Sequence, residues 1–444
     1  MELKFPAADY LVLFCHGLDG DPTNLTAIKE EILSLLGPDG KRVHLWDSVV
    51  NVGSGMRDGI KVCTDRLWSE LLPLLKSKLA AHDFIVRVSF IGHSLGGLIL
   101  RAVAMRLYVW CTDNGLGDRF AFDCYMSIAV PHLGVRAIGA SLSGDGPAVS
   151  LIRSVPGNML RAGSRVFSGA VGPELLLEEP TLLNALSNDT GCAALRHCSC
   201  RVAFSNVSGD WTVPYQSASL LDAEEAALVR AAWSGDGGGS AGGEVEGEGG
   251  AAEAAAEAAA EAAAEAAPEA AEMAPDVADD DAVGKPHETG AAVLWSDTHL
   301  TKLEPRLLPT MRLVSYPARL DGVRALVVTP LPASWDPAPT AAQHATDDER
   351  GDALATTASS ILRQLRSCGE WEVHPVEFGE RGTTLMGMRL PHIDIAAIPD
   401  QRTSDAGLEV VRLVARRLLL QMANEPRTIV PRTSRLLRGG STGR

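Results

Sequence analysis

The stretch Phe90-Ile91-Gly92-His93-Ser94-Leu95-Gly96-Gly97 decides the fold. It fits the pattern G-x-S-x-G, in which a serine sits on a tight turn between a strand and a helix. The flanking glycines let backbones approach closely, so the serine hydroxyl is left exposed at the start of the helix. A β-rich run precedes the motif and a helical run follows it, as the pattern requires. We therefore predict Ser94 as a nucleophile; the alternative is a chance match in a structural turn.

Strands and helices alternate outward from this motif. A continuous apolar run at residues 10–15 is typical of a strand buried on both faces of a parallel sheet. The alternation predicts an α/β fold with a doubly wound, mostly parallel sheet, whose ligands lie at the carboxyl ends of the strands. Further strands are expected at 43–46, 84–91, 120–130, 201–207, 323–328 and 371–378, and helices at 25–36, 58–79, 95–109 and 407–422.

A serine hydroxyl is a weak nucleophile, so a base must take its proton and hydrogen-bond donors must stabilise the oxyanion. The first expected donor is the backbone amide of Leu95, directly after the nucleophile. The second should come from a loop after an early strand, and the Leu18 amide is placed for it. The residues expected to shape this site, rather than to react, are His16, Gly17, Gly92, His93, Gly96 and His132.

The acid is expected just past a strand end, where a carboxylate can orient an imidazole. Asp210 meets this condition, because Ser208-Gly209-Asp210 follows the apolar run at 201–207. An ordinary Asx turn beside Gly209 is the alternative. We therefore predict Asp210 as the acid.

The base is sought among the histidines after the acid, because enzymes built on this serine turn order their catalytic residues as Ser, acid, His. His132 precedes Asp210 and is interpreted as a neighbour of the site, and His374 lies inside a predicted strand. His392 follows the last predicted strand and precedes the last helix. His392 is therefore the predicted base, and His299 is the alternative.

The net charge of −16 is concentrated in one segment. Residues 234–290 contain fifteen acidic residues and one lysine, which leaves a net charge of only −2 for the rest of the chain. The part expected to fold therefore has no Lys/Arg stripe that would indicate a nucleic-acid partner. An Ala/Glu repeat at 251–272 stacks like charges at i,i+4 and offers no large apolar face, so we predict a disordered insertion.

The core is expected to divide around this insertion. Residues 1–233 form its first part and residues 291–423 its second. Within the first part, residues 134–195 are too long for a simple crossover and are rich in leucine, which predicts a cap over the site; a helix pair covering the sheet is the alternative. Residues 424–444 are predicted to be a disordered basic tail.

Eight cysteines are scattered without the spacing of a disulfide framework, which favours reduced thiols and a cytoplasmic location. The His197-Cys198-x-Cys200 cluster with Cys192 lacks a second ligand pair at zinc-like spacing, so no metal or other cofactor is expected. No N-terminal signal is recognisable, and no apolar run reaches the ~18 residues that span a bilayer.

Four blocks in series and a late histidine carry a family resemblance. They are His16-Gly17-Leu18-x-Gly20, Gly92-His93-Ser94-Leu95-Gly96-Gly97-Leu98-Ile99-x-Arg101, Pro131-His132-Leu133-Gly134, Asn206-x-x-x-Asp210-x-x-Val213-Pro214 and His392. Together they resemble the serine esterase, or lipase-like, family of α/β-hydrolases. The resemblance implies the α/β-hydrolase fold, activity on acyl esters of lipids such as phospholipids or glycerides, and Ser94, Asp210 and His392 as a triad. The acidic insertion departs from the family pattern and falls between acid and base.

The leading hypothesis is a lipase, phospholipase or carboxylesterase that forms an acyl-enzyme on a lipid or other acyl ester, with acyl chains contacting the cap. A thioesterase acting on acyl proteins or acyl-CoA is the second, because the same triad cleaves thioesters. The third, of a different class, is an inert lipid- or protein-binding module on the same fold. The arginines of the tail leave open a peripheral contact with a membrane or lipid-droplet surface.

Overall fold

The computed structural model describes residues 6, 8–37, 42–81, 84–135, 169–177, 181–210, 212–233, 302–315, 324–332, 334, 349–378, 384–385, 388–389, 392, 395–398 and 407–430. The predicted insertion at 234–290 and residues 431–444 of the predicted tail lie outside the described residues.

Strand β1 (Ala8–Cys15) lies inside the core. Its side chains alternate between two apolar layers: Leu11 and Leu13 belong to one layer, and Val12 and Phe14 to the other. All four side chains are at most 1% exposed. A strand covered on both faces carries apolar residues at successive positions, which explains the continuous run in the sequence.

The described residues form one large sheet and a small hairpin. After β1, the strands are β2 (Val43–Asp47), β3 (Ile85–His93), β4 (Phe120–Ile128), β5 (Cys200–Asn206), β6 (Met311–Ser315), β7 (Arg324–Val328), β8 (Trp371–Val376) and the hairpin pair β9 (Thr384–Leu385) and β10 (Met388–Arg389). The sheet has the order β2-β1-β3-β4-β5-β8-β7-β6. Its first six members are parallel, and β7 and β6 are antiparallel at one edge. The chain leaves β1 for β2 on one side and returns to β3 on the other, so a switch point lies at the carboxyl ends of β1 and β3.

Helices cover both faces of this sheet. In the described part of the chain they are α1 (Thr26–Leu36), α2 (Ile60–Ala81), α3 (Leu95–Asp113), α4 (Val171–Leu175), α5 (Thr181–Ser187), α6 (Asp189–His197), α7 (Tyr215–Ser219), α8 (Ala223–Trp233), α9 (Glu349–Arg366) and α10 (Leu408–Met422). α1 and α10 share one apolar layer, and α2, α3 and α9 share the other. α3 has the length and apolarity of a membrane span, but 67% of its apolar window is buried, as in a core helix.

The predicted doubly wound, mostly parallel sheet is confirmed, and each predicted strand and helix is present with ends that differ by a few residues. Several elements have no counterpart in the prediction, among them the strand β6 and the long helix α9. β6 is a partly exposed edge strand. α9 is mostly polar in sequence, and among its described side chains the buried apolar residues are Ile361, Leu362 and Leu365. Neither segment carries the regular apolar pattern on which the prediction relies.

Residues 424–430 correct one prediction. The sequence predicts disorder from residue 424 onward, but this segment is held beside the start of β4. The Ile429 N–H donates to the Phe120 carbonyl at 3.1 Å, and the Val430 N–H donates to the Gly117 carbonyl at 2.8 Å. The prediction is wrong for these seven residues because backbone pairing with a distant strand leaves no apolar run in the sequence.

The cysteines depart in one respect from the expectation of reduced thiols. Cys124 on β4 and Cys200 on β5 form a disulfide. They are register partners on neighbouring strands with Cα atoms 4.9 Å apart, which is within the span of a disulfide. Strand register decides this proximity, and sequence spacing does not show it. The other six cysteines are free and buried, and among the described residues no group of three or more His, Cys, Asp or Glu is placed to hold a metal ion.

Candidate active site

Ser94 stands on a strained turn at the switch point of the sheet. β3 ends at His93 and α3 begins at Leu95, so Ser94 alone separates strand from helix. Its backbone has φ 51° and ψ −130°, and such a conformation costs a non-glycine residue about 1–3 kcal/mol. The Ser94 N–H donates to the Ile128 carbonyl at 2.9 Å, which holds the turn against the end of β4. The strand–turn–helix context that the motif predicts is therefore present.

Close backbone contacts require the glycines of the motif. A Cβ on Gly96 would stand 2.2 Å from the carbonyl oxygens of both Cys15 and His16. A Cβ on Gly92 would stand 2.4 Å from the Cα of Gly97. Any side chain at either position would push the serine turn away from its neighbours. The two glycines therefore let this turn pack directly against the end of β1.

The loop after β1 lies directly over the serine. A Cβ on Gly17 would be 2.9 Å from Ser94 Cβ and 3.4 Å from Ser94 Oγ. Leu18 follows in this loop, and Leu95 is the first residue of α3. Within the described residues, neither of these two amides has a hydrogen-bond acceptor; the first turn of a helix offers none of its own. Their role as oxyanion donors stays a prediction, with both N–H groups open to a ligand.

Asp210 is a buried carboxylate surrounded by donors, and only 4% of it is exposed. Its Oδ1 accepts from the Thr212 N–H at 3.0 Å, the Thr212 hydroxyl at 2.7 Å and the Val213 N–H at 2.9 Å; its Oδ2 accepts from Asn206 Nδ2 at 2.9 Å. Burial alone would raise the pKa of Asp210, but the charge of His392 and the hydrogen bonds outweigh burial and lower it to about 2. Asp210 is therefore ionised at neutral pH. The hydrogen bond from the Thr212 N–H to Asp210 Oδ1 also forms an Asx turn. Asp210 therefore makes the Asx turn of the alternative interpretation and still offers its other carboxylate oxygen to a base.

His392 meets this carboxylate. Its Nδ1 lies 2.9 Å from Asp210 Oδ2. Because a carboxylate only accepts, Nδ1 carries a proton and donates it, so Nε2 is the acceptor whenever the ring is neutral. Among the described residues no hydrogen bond joins Nε2 to the Ser94 hydroxyl; catalytic hydrogen bonds often tighten only when substrate binds. The structure thus brings the predicted acid and base together.

His16 and His132 lie outside this acid–base pair. His16 Nδ1 lies 3.0 Å from the Gly17 carbonyl oxygen, and burial lowers the pKa of His16. This neutral ring supports the loop over the serine. His132 is fully buried, with its Nδ1 3.4 Å from a guanidinium nitrogen of Arg101 and its ring edge-on to Trp371 at a centroid distance of 5.5 Å. His16 therefore contacts the loop over the serine, whereas His132 contacts buried core side chains, so its role in shaping the site stays a prediction.

The other two histidines considered as the base are a core residue and one that the structure does not describe. His374 lies in β8, as predicted, and its ring stacks on Phe204 at a centroid distance of 4.9 Å. Burial lowers the pKa of His374 to about 4, so this ring is neutral. His299, the alternative base, lies outside the described residues.

Arg57 makes a contact that the sequence prediction misses. It lies in a short 3-10 helix, Gly53–Asp58, and donates to the two carboxylate oxygens of Asp19 at 2.8 and 2.6 Å. Asp19 directly follows Leu18 in the loop over the serine. The Arg57 carbonyl also accepts from the Ala170 N–H at 2.9 Å, so one residue joins this loop to the start of α4. An ion pair between distant loops leaves no periodic signal in a sequence.

Several leucines among the described residues of the predicted cap are buried in the core. Leu177, Leu183 and Leu186 are each 1% exposed and share an apolar cluster with α3. α6 packs against α3, and α5 packs against α9. These contacts support the alternative prediction, a helix pair covering the sheet, for residues 181–195. Residues 136–168 of the predicted cap lie outside the described residues.

Residues 6–221 match a family described as "Putative serine esterase (DUF676)". Over this segment the chain is similar to that serine esterase family. The segment contains Ser94 and Asp210 and ends before His392. The sequence folds into a doubly wound sheet with Ser94 on a strand–turn–helix elbow at its switch point, which is the α/β-hydrolase fold. The expected resemblance to this family and the expected fold are both confirmed.

Several solved structures are similar to this chain. Phospholipase PlaB from Legionella pneumophila, in complex with thio-NAD, is 18% identical over 45% of this chain and 38% of its own, with a TM-score of 0.31. A cutinase-like protein from a Cryptococcus species is 14% identical over 29% of this chain and 58% of its own, with a TM-score of 0.22. An extracellular α/β-hydrolase from a Paenibacillus species is 15% identical over 35% and 52%, with a TM-score of 0.21. The chain spans less than two thirds of the length of each of these proteins.

Proposed function

We propose that this chain hydrolyses acyl esters of lipids, with Ser94 as nucleophile, His392 as general base and Asp210 as the acid that orients the base. The observation that carries the proposal is the 2.9 Å contact between His392 Nδ1 and Asp210 Oδ2. The strained Ser94 turn lies at the same edge of the sheet, because both sites follow the carboxyl ends of parallel strands. A strained serine beside a buried acid–imidazole pair is the arrangement that nucleophilic catalysis uses.

The first half of the reaction acylates the enzyme. Ser94 Oγ attacks the ester carbonyl carbon while His392 Nε2 takes the hydroxyl proton, and Asp210 stabilises the imidazolium that forms. The Leu18 and Leu95 amides donate to the oxyanion, and the positive end of the α3 dipole adds to this stabilisation. The ester C–O bond then breaks, the alcohol leaves with the proton from His392, and the acyl group stays on Ser94.

The second half of the reaction releases the acid. Water attacks the acyl carbonyl carbon as His392 Nε2 takes a proton from it. The new tetrahedral intermediate expels Ser94 Oγ, which recovers its proton from His392. The carboxylic acid leaves, and the three residues return to their starting protonation states.

Lipid esters are the proposed substrate class because of the family resemblance and an apolar rim beside the site. In the loop after β2, Val49, Val50 and Val52 are 65%, 40% and 43% exposed. This loop is tied to the one over the serine by a hydrogen bond from the Gly53 N–H to the Gly20 carbonyl at 3.0 Å. Exposed apolar side chains beside a polar site suit a substrate that has both an acyl chain and an ester.

The test is a hydrolysis screen of the full chain over p-nitrophenyl butyrate, triglycerides, phospholipids and acyl thioesters, with fluorophosphonate labelling. Ser94→Ala should lose hydrolysis and labelling. Ser69→Ala, which removes an exposed hydroxyl on α2, is the matched control and should keep both. Labelling that persists at another residue in Ser94→Ala would refute the nucleophile. Turnover of thioesters alone would favour a thioesterase, and an unlabelled, inert chain would favour a binding module.

A further inference from the structure

His93 is the last residue of β3 and directly precedes the nucleophile. Its side chain is 3% exposed and points toward the proposed base: the His93 and His392 ring centroids are 4.9 Å apart. His93 Nε2 lies 2.8 Å from the backbone carbonyl oxygen of His392. Since a carbonyl oxygen only accepts, Nε2 must carry the proton of His93 and donate it.

The other ring nitrogen of His93 faces the loop over the serine. Nδ1 is buried and has no hydrogen-bond partner among the described residues. It would lie 3.3 Å from a Cβ placed on Gly17. The ring of His93 therefore fills the space between the loop that carries Leu18 and the residue proposed as base.

Two hydrogen bonds hold His392 in the described part of the chain. One joins its side chain to Asp210, and the other joins its backbone carbonyl to His93. The first bond fixes the imidazole at Nδ1 but allows the ring to pivot about that contact. The second fixes the backbone from which the ring extends, so together they set the direction in which Nε2 points.

We propose that His93 is a positioning residue, whose Nε2–H···O=C bond to His392 aligns the imidazole between Asp210 and Ser94. This inference rests on the proposed function and assigns His93 no contact with substrate. This role differs from that of a residue that only fills space, because it depends on the hydrogen bond that His93 Nε2 donates to the His392 carbonyl.

The protonation state of His93 suits this role. Burial, and then the nearby charge of His392, lower the pKa of His93 to about 3. The ring is therefore neutral at any pH at which the esterase would work, and it adds no charge to repel the imidazolium that forms on His392.

The test separates the donor from the shape of the side chain. His93→Phe keeps a ring and removes the donor, whereas His93→Gln loses the ring and offers an amide N–H close to the position of Nε2. With p-nitrophenyl butyrate, His93→Phe should lower kcat roughly 10- to 100-fold, leave KM within about twofold, and slow fluorophosphonate labelling of Ser94 by a similar factor. His93→Gln should recover most of both rates. His93→Met replaces the Phe variant if the latter does not fold, as judged by its Tm.

The possible outcomes test the positioning role of His93 and the proposed function separately. Equal rates for wild type and a folded His93→Phe or His93→Met variant would overturn the positioning role. A folded His93→Gln variant that is as slow as the Phe and Met variants would also overturn the positioning role, because restoring a hydrogen-bond donor would then have no effect. A wild-type chain that neither hydrolyses the ester nor labels at Ser94 would refute the proposed function, and with it this inference.

Discussion

His392 Nδ1 lies 2.9 Å from Asp210 Oδ2, although 182 residues separate them along the chain. The acidic segment at 234–290 falls between them in sequence. In space, β8 is hydrogen-bonded to β5 as a parallel neighbour. Asp210 follows the carboxyl end of β5 and His392 follows that of β8, so both reach the same edge of the sheet. Because β8 lies next to β5 in the sheet, the residues that follow these two strands come into contact.

Asp210→Asn should lower activity far more than stability. The amide keeps the size of the side chain but removes the charge that stabilises the imidazolium and selects its tautomer, and such a change in a serine protease cost about 10⁴ in kcat. We expect a fall in kcat of roughly 10³- to 10⁴-fold with little change in KM. Steady-state kinetics on p-nitrophenyl butyrate measure it, with Asp189→Asn, at an exposed residue, as control. A fall below tenfold would show that Asp210 is not the acid.

Asp210 should also stabilise the fold in a pH-dependent way. Its pKa is about 2 in the fold, against roughly 3.9 in an unfolded chain. Because the folded value is the lower one, the contribution is complete above about pH 4 and disappears as the pH falls toward 2, up to roughly 2–3 kcal/mol in total. Urea unfolding should show that the difference in the free energy of unfolding between wild type and Asp210→Asn is about 1 kcal/mol smaller at pH 3 than at pH 6. A difference that does not change with pH would contradict the lowered pKa.

Gly17→Ala should impair the site without unfolding the chain. The new Cβ would stand 2.9 Å from Ser94 Cβ, so the loop over the serine must shift by some tenths of an ångström. We expect kcat to fall roughly 10- to 100-fold, as for other small displacements of reacting groups. Gly55→Ala is the matched control, since its Cβ would meet nothing closer than 3.7 Å. Equal activity of the two variants would show that the loop position does not matter for the reaction.

Arg87→Met should destabilise the chain through the buried Asp123. Arg87 donates to both carboxylate oxygens of Asp123 at 2.8 Å, and to the carbonyls of Met422 and Asn424 at 2.9 and 2.7 Å. Removing one partner of a buried ion pair leaves an uncompensated charge, which costs roughly 3–5 kcal/mol. Urea unfolding of Arg87→Met measures this loss. The double variant Arg87→Met/Asp123→Leu should recover part of it; a double variant less stable than the single one would argue against the buried charge as the cause.

The local part of the site could be predicted because it follows local rules. A strand, a serine between glycines and a helix specify the elbow, and the structure has Ser94 at φ 51° on that turn. Asp210 could be selected because it follows a strand end, and His392 because it comes after the acid and before the last helix. These choices used chain order and element type, which a single sequence carries.

The sequence by itself therefore determined the fold class, the elbow and the candidate residues, since apolar periodicity and turn chemistry are properties of short segments. Only the tertiary structure decided which distant segments meet. The pairing of β8 with β5, the Cys124–Cys200 disulfide, the Arg57–Asp19 ion pair and the bond from His93 to the His392 carbonyl all join residues far apart in the chain. Such contacts depend on strand order and register, which arise from the packing of the whole sheet and leave no trace in local patterns. The sequence thus identifies Ser94, Asp210 and His392 as candidates, and the packing of the sheet sets the distances between them.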